Sequence, residues 1–286
     1  MGTSELTVMH LLSDASAKLR EAGIDTPILD AELLLTRAAG ISRTRMMMHP
    51  ELVPPSWDVQ RFLGFVKRRV EREPLAYITG EREFYGLLFD VTSDVLIPRQ
   101  DTEILVETAV KMLSGIEHPT VADVGLGSGA IAISVAKTIP TAVVFGTESS
   151  APALEIARRN AERHGVLSQV RFLCGDLLEP LKNMNFDLIV SNPPYIPSAD
   201  IDKLQPEVAR FEPRQALDGG PDGLDAYRRL VVDAPPLLHR GGILAVEIGI
   251  GEDDPVSAMF KAHGLTNIRV IPDYAGLPRV VTGVRW

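Results

Sequence analysis

Between residues 121 and 284, short runs of β-branched and apolar residues alternate with stretches whose apolar residues recur at helical spacing. Val121–Val124, Val143–Thr147, Val170–Leu173, Phe186–Ser191, Ile243–Ile248, Ile268–Ile271 and Val280–Val284 predict strands. Ala130–Lys137, Ala151–His164, Gly223–His239 and Asp254–His263 predict the helices between them, and Asp101 starts an earlier one running to about Ser114. This alternation implies an α/β fold, a mostly parallel sheet with helices on both faces. Only Asp273–Arg279 separates the last two strands, which is too short for a helical crossover, so those two are expected as an antiparallel hairpin.

The chain before this region has a different period. Leu6, Met9, Leu12, Ala15 and Leu19 recur at helical spacing until Gly23. Thr26 is placed to cap a second helix with Pro27 at its first position and Ala31, Leu34, Leu35 and Ala38 inside, ending at Gly40. Ser42 opens a short helix closed by Pro50, and Ser56 caps a longer one, Trp57 to Arg72, that Pro74 ends. Phe84–Val91 reads as a hairpin with Gly86 in its turn. The expected organisation is a helical bundle over 1–75 suited to docking, a connecting hairpin and linker over 76–98, and a catalytic α/β domain over 99–286.

Composition narrows the function classes. Residues 1–75 carry 10 basic and 10 acidic side chains, so the remaining 19 basic and 28 acidic ones account for the whole net charge of −9. An acidic catalytic half gains little from phosphate neutralisation, the main source of nucleic-acid affinity, so no stable nucleic-acid partner is expected. No apolar run reaches the length of a membrane span, Met1–Glu5 lacks the basic start of a signal peptide, and Leu6 stands where myristoylation needs Ser or Thr. Cys174 is the only cysteine, which suits a reducing cytoplasm, and its apolar flank Val170–Leu173 suggests a small core residue. The six histidines are scattered without metal-ligand spacing, so no metal is assigned. A monomer is expected.

Two loops carry the chemistry. Asp123-Val124-Gly125-Leu126-Gly127-Ser128-Gly129 follows the first strand of the α/β region and opens a helix; glycines there let the backbone turn tightly and approach a ligand. The spacing is G-x-G-x-G rather than the G-x-G-x-x-G of dinucleotide sites. Glu148 ends the second strand, where a carboxylate can accept both ribose hydroxyl protons. Asp176 after the third strand can accept from an adenine amino group, with Leu177 beside the ring. Seven strands ending in a hairpin, with these acids, fit a Rossmann-like S-adenosylmethionine-dependent methyltransferase better than a dehydrogenase.

Asn192-Pro193-Pro194-Tyr195 follows the strand Phe186–Ser191. An amide nitrogen has a delocalised lone pair and attacks a methyl poorly unless its hydrogens are held. The side-chain oxygen of Asn192 and the carbonyl of Pro193 are two such acceptors, and the prolines keep them in place. Tyr195 offers a face for a planar group. The proton becomes acidic only once nitrogen is alkylated, so positioning is expected to supply most of the acceleration. These four residues alone do not choose between a glutamine amide and an adenine amine.

With these residues in hand, the whole chain resembles the PrmC/HemK family of release-factor glutamine N5-methyltransferases. The likeness runs through Ala22-Gly23-Ile24, Pro27–Leu34, Glu73–Gly80, Glu83–Gly86, Leu96–Glu103, Phe211–Leu217 and Gly219–Gly223. The resemblance implies S-adenosylmethionine on Gly125, Leu126, Gly127, Ser128, Gly129, Glu148, Asp176, Leu177 and Asn192. It implies the substrate glutamine, from a Gly-Gly-Gln loop of a peptide-chain release factor, on Asn192, Pro193, Pro194 and Tyr195, with Asn192, Pro193 and Tyr195 catalytic. Gln100 stands where the family usually has Pro, and Leu126 where Thr or Cys is common, with Leu126 expected to act through its backbone. Asp101-Thr102-Glu103 favours the release-factor branch over the branch that methylates a ribosomal-protein glutamine. An adenine N6-methyltransferase and a non-catalytic docking module are the other readings.

Overall fold

The computed structural model describes residues 6–286, so the Met1–Glu5 segment considered above for signal features lies outside the described residues. The chain divides into two units, Met1–Gly80 with Gln205–Phe211, and Glu81–Leu204 with Glu212–Trp286.

In the first unit, α1 (Val8–Glu21), α2 (Pro27–Ala39), α3 (Arg43–Met48), α4 (Ser56–Val70) and α5 (Leu75–Thr79) surround Leu19, Leu34, Leu35 and Phe62. The stripe on α1 is Val8, Leu11, Ala15 and Leu19, whereas Met9 is 57% exposed and Leu6 41%, against the expectation from their spacing. Repeated steps of three fall about 60° short of a turn each time, so the 6-9-12-15 series drifts off the face that the 8-11-15-19 series holds. Ser42 caps α3 by accepting from Arg45 N at 3.3 Å. Thr26 does not cap α2; its hydroxyl instead donates to Asp30 Oδ1 at 2.8 Å. Ser56 is the first residue of α4 rather than its cap, because Pro55 already sets the turn into the helix.

A charged network runs through this unit. Arg69, 8% exposed, donates from Nε to Asp30 Oδ2 at 2.7 Å and from Nη1 to Glu207 Oε1 at 2.8 Å. Arg72 grips both oxygens of Glu207 at 2.8 and 2.7 Å. Glu207 stands on the short helix Pro206–Phe211, so this pair of arginines ties the 205–211 segment into the unit. Burial pushes the Glu207 carboxyl up, but the hydrogen bonds from Arg72 and Arg69 outweigh it and hold it below the ordinary value.

In the second unit, β1 (Glu81–Phe84) and β2 (Leu87–Asp90) form the expected hairpin. Tyr85 and Gly86 both have positive φ, the turn that matches strand twist. A non-glycine residue there needs support, and Tyr85 N donates to Glu103 Oε1 at 2.9 Å. A 3-10 turn at Gln100–Thr102 leads into α6 (Glu103–Met112), and then β3 (Thr120–Val124), α7 (Ala130–Thr138), β4 (Val143–Glu148), α8 (Ala151–Arg163) and β5 (Val170–Cys174) follow. The chain returns in β6 (Phe186–Ser191), and after α9 (Pro206–Phe211), the helix that belongs to the first unit, it finishes as α10 (Asp225–Asp233), β7 (Leu238–Glu247), α11 (Asp253–Ala262), β8 (Leu265–Pro272) and β9 (Pro278–Arg285).

The sheet has seven strands in the order β5-β4-β3-β6-β7-β9-β8, parallel except for β9, which runs antiparallel to both β7 and β8. The strands feed two cores: Leu188 and Val190 of β6 pack with α6, α7 and α8, while Ile189 and, across an irregularity in register, Phe186 pack with α10 and α11. The helix expected over Gly223–His239 is shorter, because α10 ends at Asp233 and Pro235-Pro236 cannot supply helical N–H donors. The strand therefore starts at Leu238, five residues before the expected Ile243. Cys174 is exposed, not a core residue: β5 is an edge strand and its last residue points off the sheet.

The strand order reverses between β3 and β6, since the chain winds outward from β3 through β4 to β5 and then outward again from β6. Ligands of open parallel sheets bind at the carboxyl ends of strands beside such a switch point. Both chemistry-bearing loops leave from there.

Removing one partner from a buried ion pair leaves the other uncompensated, at a cost of about 3–5 kcal/mol. Arg69→Met is therefore expected to lower the stability of the helical unit by about 3 kcal/mol in urea denaturation followed by helical circular dichroism. A change below about 1 kcal/mol would put this network in the class of surface pairs.

Candidate active site

The two loops are held against each other by the strands they leave. Ser191 pairs with Val124 in register, and its hydroxyl donates to Val124 O at 2.8 Å. Beyond them, a β carbon on Gly125 would lie 4.0 Å from Asn192 O, so the glycine loop and the Asn192 turn touch through backbone.

A cavity of about 290 Å³ opens at this point, walled by Gly125, Gly127, Glu148, Asp176, Leu177 and Asn192 among others. Gly125 N and Leu126 N both donate to Thr147 O, at 3.0 and 2.9 Å, strapping the loop to the end of β4. Gly125, Gly127 and Gly129 all take positive φ, which explains why glycine recurs at every second position. Gly127 N donates to Glu148 Oε2 at 3.0 Å, and Ser150 N donates to Oε1 at 2.9 Å. Oε1 also accepts from the Ser149 hydroxyl at 3.3 Å, while Oε2 is fixed by one amide and keeps a lone pair for a further donor. Beneath the loop, burial pushes the Asp123 carboxyl up to about 8, while its Oδ2 accepts from Ala132 N at 2.9 Å at the start of α7.

The structure separates the expected cofactor residues into two groups. Gly125, Gly127, Glu148, Asp176, Leu177 and Asn192 face the cavity. Leu126, Ser128 and Gly129 do not line it. Leu126 spends its N–H on Thr147 O and lays its side chain, 4% exposed, over Gly146 of β4. The buried Ser128 offers its carbonyl to Asn160 Nδ2 at 2.9 Å, and Gly129 abuts Ile133 and Ala157. These three shape the loop from beneath. Asp176 is clamped by Arg229 through both oxygens, at 3.2 and 2.6 Å, and Leu177 holds a positive φ of 44° beside it.

On the reacting side, Asn192 Nδ2 donates to Thr102 Oγ1 at 3.0 Å, which leaves Oδ1 as the free end of the amide. Pro193 is buried, Pro194 faces the cavity, and Tyr195 is half-buried against the α10–α11 core. Burial, reinforced by Glu247, pushes the Tyr195 phenol up to about 12, so it stays protonated. Three glycines crowd this tyrosine. A β carbon on Gly219 would lie 2.8 Å from Tyr195 Cα, one on Gly249 would lie 3.1 Å from its ring, and one on Gly223 would collide with its carbonyl oxygen.

The segment Ile97–Glu103, part of the Leu96–Glu103 stretch whose family likeness implies a place by the active site, supports the site residue by residue. Arg99 pairs with Glu212, whose carboxylate also accepts from Ile97 N at 3.3 Å. Asp101 pairs with Arg279 of β9 at 3.1 Å, Thr102 holds Asn192, and Glu103 holds the hairpin turn. Gln100 is exposed at the first position of a 3-10 turn, where Pro or Gln fits equally. Thr102, Arg279 and Glu212 were missed as site residues; Thr102 and Glu212 lie in the Leu96–Glu103 and Phe211–Leu217 segments that carry the family likeness, which was a signal for them, whereas Arg279 had none.

Gly223 has φ of 83°, so Gly223→Ala strains the backbone and pushes on Tyr195 together. It is expected to lower kcat at least about tenfold with little change in cofactor affinity, measured by single-turnover kinetics and calorimetry. An unchanged kcat would show that Tyr195 tolerates displacement.

Comparison with known proteins gives the family and the fold. Residues 10–80 match a family described as the PrmC N-terminal domain, and residues 99–207 match the methyltransferase small domain. Among curated proteins, the release factor glutamine methyltransferase of Geobacter sulfurreducens is 46% identical over 97% of this chain and 96% of its own. That of Moorella thermoacetica is 44% identical over 98% of this chain and 99% of its own. A methyltransferase from Pyrococcus furiosus shares the fold with a TM-score of 0.50 at 19% identity, over 70% of this chain and 89% of its own. The hMettl16 catalytic domain, solved with an RNA hairpin, shares it with a TM-score of 0.59 at 15% identity, over 80% of this chain and 82% of its own. Near-complete coverage at such identity, with both loops meeting at the switch point, makes this chain a member of the release factor glutamine methyltransferase family.

Proposed function

We propose that the chain transfers a methyl group from S-adenosylmethionine to the side-chain amide nitrogen of a glutamine in a peptide-chain release factor, in its Gly-Gly-Gln loop. The observation that carries this reading is the likeness, over nearly the whole chain, to release factor glutamine methyltransferases, and Asn192 Oδ1, oriented by the Thr102 contact beside a glycine-lined cavity, supplies an acceptor for the amide. The residues present fit the cofactor: the glycine cradle admits close backbone approach, and Glu148 presents two oriented oxygens to a diol. When bound, S-adenosylmethionine supplies an electrophilic methyl on a sulfonium centre.

The chain's own residues position the acceptor. Asn192 Oδ1 and the Pro193 carbonyl accept the two N–H bonds of the substrate amide, directing its nitrogen toward the cavity. The protonated Tyr195 gives the planar amide a face to pack on. One amide proton leaves to water after the N–C bond forms, so the site needs no base. Asp176 and Leu177 serve the adenine end, with Arg229 orienting Asp176.

The residues 1–75 act as a docking element for the release factor, joined through the 76–98 segment to the catalytic domain 99–286. No helix among the described residues is long and apolar enough to cross a membrane, and we place the protein in the cytoplasm as a monomer acting where release factors are made. The adenine and ribosomal-protein readings are less favoured: the many curated relatives carry the release-factor name, and the catalytic half is acidic.

The test is transfer of labelled methyl to purified release factor and, separately, to DNA and RNA, with the label located after digestion. Label on the release-factor glutamine is expected; label on adenine would overturn the assignment. Asn192→Ala is expected to reduce transfer at least about 100-fold while cofactor affinity stays within about threefold. A collapse of cofactor affinity instead would move Asn192 from substrate to cofactor binding.

A further inference from the structure

Behind Asn192 lies Glu247, the last residue of β7, which pairs in register with Val280, next to the Arg279 that holds Asp101 beside Thr102; the reaction described above leaves its carboxyl unused. It is 1% exposed, and neither oxygen completes a hydrogen bond with the described residues. An isolated carboxyl at such depth is costly to keep and calls for a role. Burial pushes it up to about 7, and the group that most favours its charged form is the Thr102 hydroxyl, followed by the Arg279 guanidinium.

Thr102 already accepts from Asn192 Nδ2 at 3.0 Å. A hydroxyl has one proton, and with its acceptor side turned to Asn192 that proton is available to Glu247. A carboxylate accepts only. Once that proton is turned to Glu247, the polarity of the row is set from its buried end: Thr102 donates toward Glu247 and accepts from the Asn192 amino group, and Asn192 is left showing oxygen.

We propose that Glu247 is a positioning residue for methyl transfer, acting through Thr102 to hold the Asn192 side-chain oxygen toward the substrate amide. The proposal rests on the glutamine-amide reading of the site. With Glu247 protonated, the row reverses: the acid donates to Thr102, the Thr102 proton turns to Asn192 Oδ1, and the Asn192 amino group faces the substrate's own. Two donors then oppose each other and the amide nitrogen loses its hold.

The charged and titratable groups around Glu247 come from every packed element. Arg99, Asp101 and Thr102 precede α6, Tyr195 follows β6, Tyr227 lies on α10, and Arg279 lies on β9. Tyr227 donates to the Glu247 backbone carbonyl at 2.8 Å and to Glu252 at 3.2 Å, and Asp273 sits on Arg279 at 3.0 Å. Both tyrosines are pushed above their ordinary values, and Asp273 is held below its own by the Leu277 amide and Arg279. Glu252 is raised by burial, and Asp123 is the other carboxyl near neutrality, so substitution at Glu247 assigns the titration rather than the profile alone.

The experiment measures kcat, release-factor KM and cofactor affinity between pH 5.5 and 9 for the unsubstituted enzyme, Thr102→Val, Thr102→Ser and Glu247→Gln. The unsubstituted enzyme is expected to lose kcat about tenfold per pH unit on the acid side of a midpoint near 7. Glutamine keeps an accepting oxygen but does not titrate, so Glu247→Gln is expected to abolish that acid limb. Thr102→Val is expected to lower kcat about 10- to 100-fold with KM and cofactor affinity within about threefold, and Thr102→Ser to recover most of that loss. A Thr102→Val enzyme as fast as the unsubstituted one, or an acid limb that survives Glu247→Gln, overturns the role. Should Thr102→Val fail to fold, the Glu247→Gln profile decides alone. No transfer to release factor by the unsubstituted enzyme overturns the glutamine reading itself.

Discussion

The bond from Asn192 Nδ2 to Thr102 Oγ1 determines which end of the Asn192 amide is left for the cavity it borders. Much of the second unit serves to bring those two atoms together. Asn192 is delivered by β6, in register with β3 through Ser191 and Val124, and Thr102 by a 3-10 turn that Asp101 anchors on β9. Arg99 and the buried Glu212 fix the chain just before that turn. A donor-oriented Asn192 would repel an amide nitrogen's hydrogens, so the chemistry depends on this orientation more than on any charge in the site.

The same strands place the cofactor side. The reversal of strand order puts the glycine loop next to the Asn192 turn, so both loops border one cavity without an added element. Glu148 is then oriented by two backbone amides rather than by another charge. Its Oε2 keeps a lone pair for a further donor. The 205–211 segment makes an excursion from this unit's sequence into the helical one, where Glu207 completes the charge balance of Arg69 and Arg72.

The sheet was legible in the sequence because buried parallel strands are short β-branched runs, and all seven match to within a few residues except the start of β7. There the helical period persisted past Asp233 while Pro235 and Pro236 stopped it. The two loops were legible because glycine and proline act on their own backbone. Cys174 was misplaced because an apolar run does not say which strand lies at the edge. Leu126 was misplaced because its N–H meets Thr147 only once β4 is docked. The Thr102, Glu247 and Arg279 cluster was illegible for a stronger reason: its members lie on three segments far apart in the chain, and each alone reads as an ordinary helix-start, strand-end or strand residue.

The central claim is that carbon is bonded to nitrogen of an amide. It is tested most directly by nuclear magnetic resonance on release factor carrying ¹⁵N in its glutamine side chains, after reaction with S-adenosylmethionine bearing a ¹³C methyl. The expected result is a single methyl signal split by a one-bond coupling to one side-chain nitrogen, that of the glutamine in the Gly-Gly-Gln loop. A methyl signal without that coupling, or one coupled to a glutamine elsewhere, would contradict the account.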